Sequence, residues 1–362
     1  MATQLLDESR LADLGQQQRT EPWRRRPGAF YGWVAFGVIA PVLIVAALYL
    51  GTQLPGALIV VLYLPIQLVF SAVAALATKG RRGVGDSIII VNAIGATVFV
   101  LIVLLSVLGS LLFKGLRAMS AHFLYQNSVY ISPSTPLEYG GIGHALIGTL
   151  LVVGIASLIA VPVGIATAVY ITEVRGKAVP YVRFFVQAMS GVPSVVAGLF
   201  ILTIVVATGA FGQGAFAGGL AYAILMLPTV ARTAEEVLRL VPEDLRTGAL
   251  ALGSTRARTV MKVVIPAART GVITAVILGI ARVIGETAPL LIAAGNNDQT
   301  VLNPFNTPIA SVPTYIFNNV AQPFPDAVSR AWGSALVLII LVGILFTAAR
   351  IIGRGRLAKS GK

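Results

Sequence analysis

Long apolar runs dominate this chain and restrict it to folds that lie in a membrane. Only 11% of its 362 residues are charged, whereas a soluble domain averages about 25%. A helix needs about 20 predominantly apolar residues to cross a bilayer. Eight such segments follow one another along the chain: 30–50, 55–78, 87–112, 145–170, 180–207, 215–231, 268–294 and 331–350. The pattern predicts an all-α, polytopic membrane protein with about eight transmembrane helices.

The basic residues predict which side of the membrane each loop faces. If the N-terminus is cytoplasmic, 23 of the 27 Lys and Arg residues lie on the cytoplasmic side. They number five before residue 30, three in 79–85, three in 173–183, seven in 232–269 and five from 350 onward. Short cytoplasmic loops of membrane proteins carry such an excess. The net charge of +13 therefore indicates membrane lipids, and no nucleic acid, as partners.

Redox, metal and nucleotide chemistry have little support in the sequence. The chain contains no cysteine, and its two histidines, His122 and His144, have no partners at metal-ligand spacing. No Gly-x-x-x-x-Gly-Lys-[Ser/Thr] loop is present for ATP. The N-terminal apolar run is about 20 residues, too long for the core of a cleavable signal peptide. We therefore expect an uncleaved anchor and no metal site, cofactor or catalytic residue.

An arginine and a glutamate interrupt the apolar run 268–294. Arg282 and Glu286 are four residues apart, so on a continuous helix they share one face, about one turn apart. An ionised group at bilayer depth costs roughly 2.5–3.5 kcal/mol on insertion scales, so such groups face a protein interior or an aqueous path. Pro289 follows and is expected to kink the helix, freeing a carbonyl near the pair. These residues favour a functional site over an ion pair that merely locks two helices.

The cytoplasmic segment 232–266 carries a second unusual pattern. Pro242 is followed by two acidic residues, a strong signal for the start of a helix. Small residues follow at Gly248–Ala251, and Gly253 is a plausible C-terminal stop. A second short helix is predicted at Arg256–Val264. Two short helices with a smooth apolar face indicate a dock for a cytoplasmic partner, although a solvated loop lying at the membrane surface is the simpler alternative.

Two motifs in these regions resemble those of ATP-binding-cassette (ABC) importers. The order Leu252-Gly253-Ser254, about ten residues, Ile265-Pro266 resembles the EAA loop of ABC-importer permeases. The stretch Ala281–Leu291 is similar to the signature of phosphate-specific permeases of the PstA type. Further matches lie at Gly140–Gly143, Ser190–Gly198 and Pro308–Pro313. The resemblance covers about 140–352.

The resemblance implies a type I ABC-importer permease core in a bacterial cytoplasmic (inner) membrane protein with both termini cytoplasmic. The chain would form half of the pathway for inorganic phosphate, without being an enzyme itself. Its expected partners are a second homologous permease subunit, a cytoplasmic dimer of ATP-binding subunits and an extracytoplasmic phosphate-binding protein. The implied segments are a tail at 1–29, an additional transmembrane hairpin at 30–85, a first core helix with an external segment at 86–139, the permease core at 140–352 and a tail at 353–362.

The same resemblance assigns roles to individual residues. The substrate pathway would be lined by Arg282, Glu286, Thr287 and Pro289. The loop that couples to the ATPase would use Leu245, Ala249, Leu252, Gly253, Ser254, Ile265 and Pro266. One departure is clear: Thr247-Gly248-Ala249 stands where the family's loop opens with Glu-Ala-Ala.

Two other functions remain open at this point. A permease for another oxyanion or small solute could be built on the same plan. A membrane enzyme acting on lipid-linked phosphate belongs to a different class and would need Asp, Glu or His clustered at one membrane face. The sequence shows no such cluster.

The predicted topology can be tested with reporter fusions. Fusions at Thr52, Gln213 and Asn297 should report an external position, because the charge asymmetry places these loops outside. Fusions at Lys79 and Arg256 should report a cytoplasmic position. An external signal at Arg256 would contradict both the topology and the proposed cytoplasmic dock.

Overall fold

The computed structural model describes residues 28–52 and 56–354, and the regular structure within these ranges is helical. The helices are α1 (Gly28–Thr52), α2 (Gly56–Lys79), α3 (Arg81–Gly115), α4 (Ala121–Tyr125), α5 (Gly143–Val169), α6 (Val179–Ser190), α7 (Ser194–Ile201), α8 (Ala215–Arg239), α9 (Glu243–Ala251), α10 (Arg256–Thr259), α11 (Ile265–Ala267), α12 (Arg269–Val283), α13 (Ala288–Ala293), α14 (Val312–Val320) and α15 (Pro325–Arg354). Three π-helical turns, Tyr170–Val174, Leu202–Val206 and Val260–Val264, extend α5, α7 and α10.

The predicted all-α, multi-spanning architecture is confirmed. Among the described residues, five segments are long and apolar enough to cross a membrane: Tyr31–Leu48, Val84–Ala118, Gly143–Val174, Ala215–Arg239 and Pro325–Ala348. Two bent pairs, Val179–Ser190 with Ser194–Val206 and Arg256–Ala267 with Arg269–Val283, raise the number to seven if each pair is one span. The predicted span 55–78 corresponds to α2.

The predicted spans 180–207 and 215–231 differ from the structure in different ways. The segment 180–207 is divided into α6 and α7, which meet at 103°. Gly191 and Pro193 lie at this corner, where a flexible residue and one without an N–H favour a break. By contrast, α8 continues to Arg239, beyond the predicted end at 231. A fall in hydropathy marks where a helix leaves the membrane. The polar residues that follow can still favour the helical conformation, so the helix continues.

The described chain divides into two compact units, with the boundary after Ser106 inside α3. In the first unit, α1 and α2 pack side by side. Gln67, whose side chain is buried, donates a 2.8 Å hydrogen bond to the carbonyl oxygen of Gly37. The hydroxyl of Ser87 on α3 donates to the carbonyl of Ser71 on α2 at 3.1 Å. Polar contacts of this kind, together with small residues, hold helices together where lipid removes the hydrophobic difference.

The second unit is organised around α5 and α8. Its main cluster combines buried residues of these two helices with Val283, Ile284 and Leu290 from the α12–α13 region. A neighbouring cluster joins the start of α5 to α14 and to the segment 118–142 that precedes α5. A third cluster, at the other end of α5 and α8, includes Val264 and Val272. The site residues near 282–290 therefore lie against the central helix pair.

Gly148 allows the closest backbone approach in this unit. A Cβ atom placed on Gly148 would lie 1.9 Å from the carbonyl oxygen of Ala310. The next residue, Thr149, accepts a 2.8 Å hydrogen bond from the backbone N–H of Val312 through its hydroxyl. The segment that precedes α14 thus passes directly over α5, and it can do so because Gly148 has no side chain.

We expect Gly148→Ala to destabilise the protein and Gly154→Ala to leave it almost unchanged. Overpacking of a tight contact costs about 1–3 kcal/mol, and the added methyl at 148 would meet backbone. Gly154 lies on the same helix, but no heavy atom lies within 4 Å of an added Cβ. Thermal unfolding of the two detergent-purified variants measures the difference. Equal melting temperatures would contradict the close approach at Gly148.

Candidate functional site

The charged pair lies at a break between two helices. Helix α12 ends at Val283, and α13 begins at Ala288. The turn between them is held by hydrogen bonds from the N–H of Ile284 to Ile280 and from the N–H of Glu286 to Val283, both 3.0 Å. The prediction of one kinked helix over 268–294 is therefore wrong. Gly285 weakens the helix, and Pro289, lacking an N–H, starts the next one.

Arg282 and Glu286 nevertheless meet, as the spacing predicted. Arg282 occupies the last turn of α12, and its Nη1 donates to Oε1 of Glu286 in the following turn. The side chain of Arg282 is 47% exposed, and that of Glu286 is 23% exposed. The pair therefore faces open space within this chain, and the guanidinium remains accessible.

Tyr222 fixes the backbone at the break. Its hydroxyl donates a 2.5 Å hydrogen bond to the carbonyl oxygen of Glu286. Tyr222 belongs to α8 and is only 1% exposed. This bond supplies a donor to a carbonyl group that lies at the helix break and lacks a partner within a helix. No sequence signal identified Tyr222, because it lies 64 residues from Glu286 and only the packing of α8 brings them together.

The other two predicted pathway residues form the start of α13. Thr287 precedes this helix, and its carbonyl oxygen accepts hydrogen bonds from the N–H groups of Leu290 and Leu291 at 3.2 and 3.1 Å. Pro289 is buried against α7: a Cβ placed on Gly198 would lie 2.8 Å from its Cα. The structure thus places Thr287 and Pro289 directly beside the ion pair, on a segment that α7 and α8 hold in place.

The predicted docking loop forms two short helical elements, as expected. Pro242 immediately precedes α9 instead of occupying its first turn, which contains Glu243 and Asp244. Gly253 has φ of +80° and ends the first element. Its N–H bonds to Leu250 at 2.9 Å, and the N–H of Ser254 bonds to Ala249 at 3.1 Å. This pair of bonds is a Schellman motif, which requires a residue that tolerates the left-handed conformation.

Apolar side chains of this loop point away from the rest of the chain. Leu245 is 45% exposed and Leu252 is 91% exposed. Near Gly248 and Gly253, no heavy atom lies within 4 Å of an added Cβ. Ile265 is half-buried and Pro266 exposed where the second element turns by 75° into α12. The loop thus presents a nearly smooth apolar surface directly connected to the helix that carries Arg282.

Arg330 is a further residue whose role the sequence did not predict. It lies near the start of α15 and is 1% exposed. Its Nη2 donates to the carbonyl oxygens of Thr135, Pro136 and Tyr139 at 2.6, 2.7 and 3.2 Å. The side chain holds the segment before α5 against the rest of the unit. Its position gave no such signal, because its partners are backbone atoms about 190 residues away.

Residues that could bind a metal do not converge within 28–52 and 56–354. No group of three His, Cys, Asp or Glu side chains in these ranges is placed to hold an ion. The charged groups at the break are one arginine and one glutamate, which suit the binding of a small anion better than that of a cation.

One family of known proteins matches a part of the chain that includes both the helix break at 283–288 and the loop 232–266. Residues 160–355 match the family model described as binding-protein-dependent transport system inner membrane component. The phosphate transport system permease protein PstA 1 of Mycobacterium tuberculosis (strain CDC 1551 / Oshkosh) is 44% identical over 59% of this chain and 70% of its own length. PstA of Yersinia pestis is 34% identical over 74% of this chain and 89% of its own. An inward-facing structure of the MetNI methionine ABC transporter aligns with a TM-score of 0.48 and 19% identity, over 59% of this chain and 93% of that one.

Proposed function

Because the chain belongs to the family of binding-protein-dependent transport system inner membrane components, we propose that it is a permease subunit for phosphate uptake. It forms half of the membrane pathway of an ATP-driven importer. The observation that carries this proposal is the accessible Arg282 at a helix break, paired with Glu286. The PstA relatives, which are phosphate permeases by name, are 34% and 44% identical to this chain over the parts that match.

Arg282 supplies the contact with the anion. A guanidinium presents forked N–H donors that match two oxygens of a phosphate. In the described part of the chain, Nη1 of Arg282 is bonded to Glu286, and no bond occupies Nε or Nη2. The remaining donors and the 47% exposure of the side chain leave room for a ligand. Phosphate entering the pathway would bind these donors without first breaking the ion pair.

Glu286 moderates the site. Its negative charge offsets part of that of Arg282, so the pathway attracts an anion without holding it permanently. Transport requires binding that is favourable enough for entry and weak enough for exit. Because the backbone of Glu286 is anchored by Tyr222, the carboxylate can keep the guanidinium in one orientation.

The partners follow from the two surfaces of the subunit. A second homologous permease supplies the facing half of the pathway, opposite the exposed side of Arg282. A dimer of cytoplasmic ATP-binding subunits covers the apolar surface of α9 and Leu252 and supplies the P-loop that the sequence of this chain lacks. An extracytoplasmic phosphate-binding protein delivers the anion. The subunit resides in the bacterial inner membrane with both termini in the cytoplasm.

We expect Arg282→Gln to abolish most phosphate uptake in a complex that still assembles. Losing a charge-assisted contact of about 1.5–3 kcal/mol weakens anion binding about ten-fold or more. Uptake of radiolabelled phosphate, normalised to the assembled complex, measures the effect. Adding Glu286→Gln should not restore uptake if Arg282 contacts the anion. Full uptake by the double variant would contradict the proposal, because it would show that the two charges serve only each other.

The dock is tested by Leu252→Glu. This side chain is 91% exposed, so the substitution should leave folding intact and release the ATP-binding subunits by placing a charge in an apolar contact. Leu302→Glu is the matched control, since Leu302 is 70% exposed in the segment predicted to be external. Copurification of the ATP-binding subunits with each variant gives the result. Normal copurification and uptake with Leu252→Glu would exclude this surface as the dock.

A further inference from the structure

A single buried arginine joins the docking helix to the rest of the permease. Within Glu243–Ala251, a helix that is described in full, Arg246 is the buried residue. The neighbouring apolar side chains Leu245 and Leu250 are 45% and 42% exposed. Most surface helices bury an apolar stripe against the core. Helix α9 instead turns its apolar side outward and a charged side chain inward.

Arg246 uses each nitrogen of its guanidinium. Nε and Nη2 donate to the carboxylate of Glu173, with the shortest contact at 2.8 Å. Nη2 also donates to the carbonyl oxygen of Leu238 at 2.8 Å, and Nη1 donates to that of Val241 at 2.6 Å. A weaker contact of 3.2 Å joins Nη1 to Glu243 on the same helix. The forked contact with Glu173 and the two carbonyls together fix the orientation of the side chain.

These partners lie at the ends of the two central helices. Glu173 belongs to the π-helical turn that extends α5. Leu238 lies in the last turn of α8, and Val241 lies two residues beyond the end of that helix. The same helix α8 carries Tyr222, which binds the backbone of Glu286. At a rise of about 1.5 Å per residue, the 16 residues from Leu238 to Tyr222 span roughly 24 Å.

The ion pair is better suited to fixing geometry than to adding stability. The side chains of Arg246 and Glu173 are both 9% exposed. A buried ion pair often contributes less than apolar residues of similar volume would, because its charges must be desolvated, and fixing registry is its best-attested use. The hydrogen bonds that Arg246 donates to the Glu173 carboxylate raise the pKa of Arg246 further, so the guanidinium stays charged.

We propose that Arg246 is a positioning residue that fixes the ATPase-facing helix α9 to the ends of α5 and α8. A displacement of α9 by the bound ATPase then moves α8 and, through Tyr222, the break that carries Arg282 and Glu286. The inference rests on the proposed function, since it assumes that α9 is the dock. It adds that coupling passes through Arg246 and Glu173, in addition to the direct connection from the loop into α12.

The test compares transport with hydrolysis in the complete importer. Phosphate uptake and ATP hydrolysis are measured in the same proteoliposomes for wild type, Arg246→Lys and Glu173→Gln. Arg246→Lys keeps the positive charge but removes the forked N–H donors of the guanidinium. Glu173→Gln keeps an acceptor oxygen but removes the negative charge. We expect the phosphate moved per ATP hydrolysed to fall about five-fold or more, the lower range of typical coupling factors, while assembly and hydrolysis persist.

A second ion pair provides the matched control. Arg183 on α6 binds Glu235 on α8 at 3.0 Å without contacting α9. Arg183→Gln removes a comparable charge at the same end of α8, and Arg239 remains on Glu235 at 2.5 Å. The phosphate-to-ATP ratio should therefore stay at the wild-type value. An equal loss with Arg183→Gln would overturn the inference, because any charge lost near this end of α8 would then suffice.

Rescue by a cross-link separates positioning from general stability. The chain contains no cysteine, so Glu173→Cys with Arg246→Cys introduces a unique pair. Bridging the two thiols with a short cleavable linker, in a background of cysteine-free ATP-binding subunits, should restore the ratio, and cleavage should remove it again. An uncoupled bridged protein, or single variants that lose transport and hydrolysis in proportion, would overturn the inference. Retained copurification after Leu252→Glu would instead count against the dock itself.

Discussion

The break in the backbone between Val283 and Ala288 is the constraint on which the charged site depends. A helix that ends among apolar helices leaves carbonyl and N–H groups without partners, and each unsatisfied group costs several kcal/mol in a membrane. Such a break persists where neighbouring helices supply the missing contacts. Here Tyr222 of α8 donates to Glu286, and the absence of a side chain at Gly198 lets α7 cover Pro289. The site exists because two other helices tolerate the interruption.

Arginine is used in two ways in this protein. Arg282 is half-exposed and bound at one corner by a carboxylate, so it keeps donors for a ligand. Arg246 and Arg330 are buried. Arg246 donates to the carboxylate of Glu173 and to two main-chain oxygens, and Arg330 donates to main-chain oxygens. A buried charge without partners is strongly unfavourable, so these two contacts are tightly defined. Exposure therefore separates the arginine that can exchange a ligand from those that hold the chain in place.

The polarity of α9 gives the proposed docking segment an exposed apolar face and a polar contact that fixes its position. Its outward apolar surface would be unfavourable in water unless a partner covers it. Its inward contact is polar and directional, so it resists sliding in a way that an apolar contact does not. The Schellman motif at Gly253 adds a defined end to the helix. A rigid element with an uncovered apolar face suits a surface that receives movement from another subunit.

Hydropathy and charge were sufficient to predict the membrane class and the all-α fold. Local sequence also predicted the two short helical elements of 232–266 and the Arg282–Glu286 contact, because these depend on residues close together in the chain. Spans 180–207 and 268–294 were predicted as continuous, since hydropathy does not report whether a backbone break can be satisfied. In 268–294 the break is satisfied by Tyr222 and made possible by Gly198, which reach it only through tertiary packing. The sequence identified Arg246 and Arg330 as charged residues, but it did not show that their side chains hold separate segments of the chain together. Their partners are a carboxylate and carbonyl oxygens brought together by the packing of α5, α8 and α15, and a main-chain oxygen carries no sequence signature.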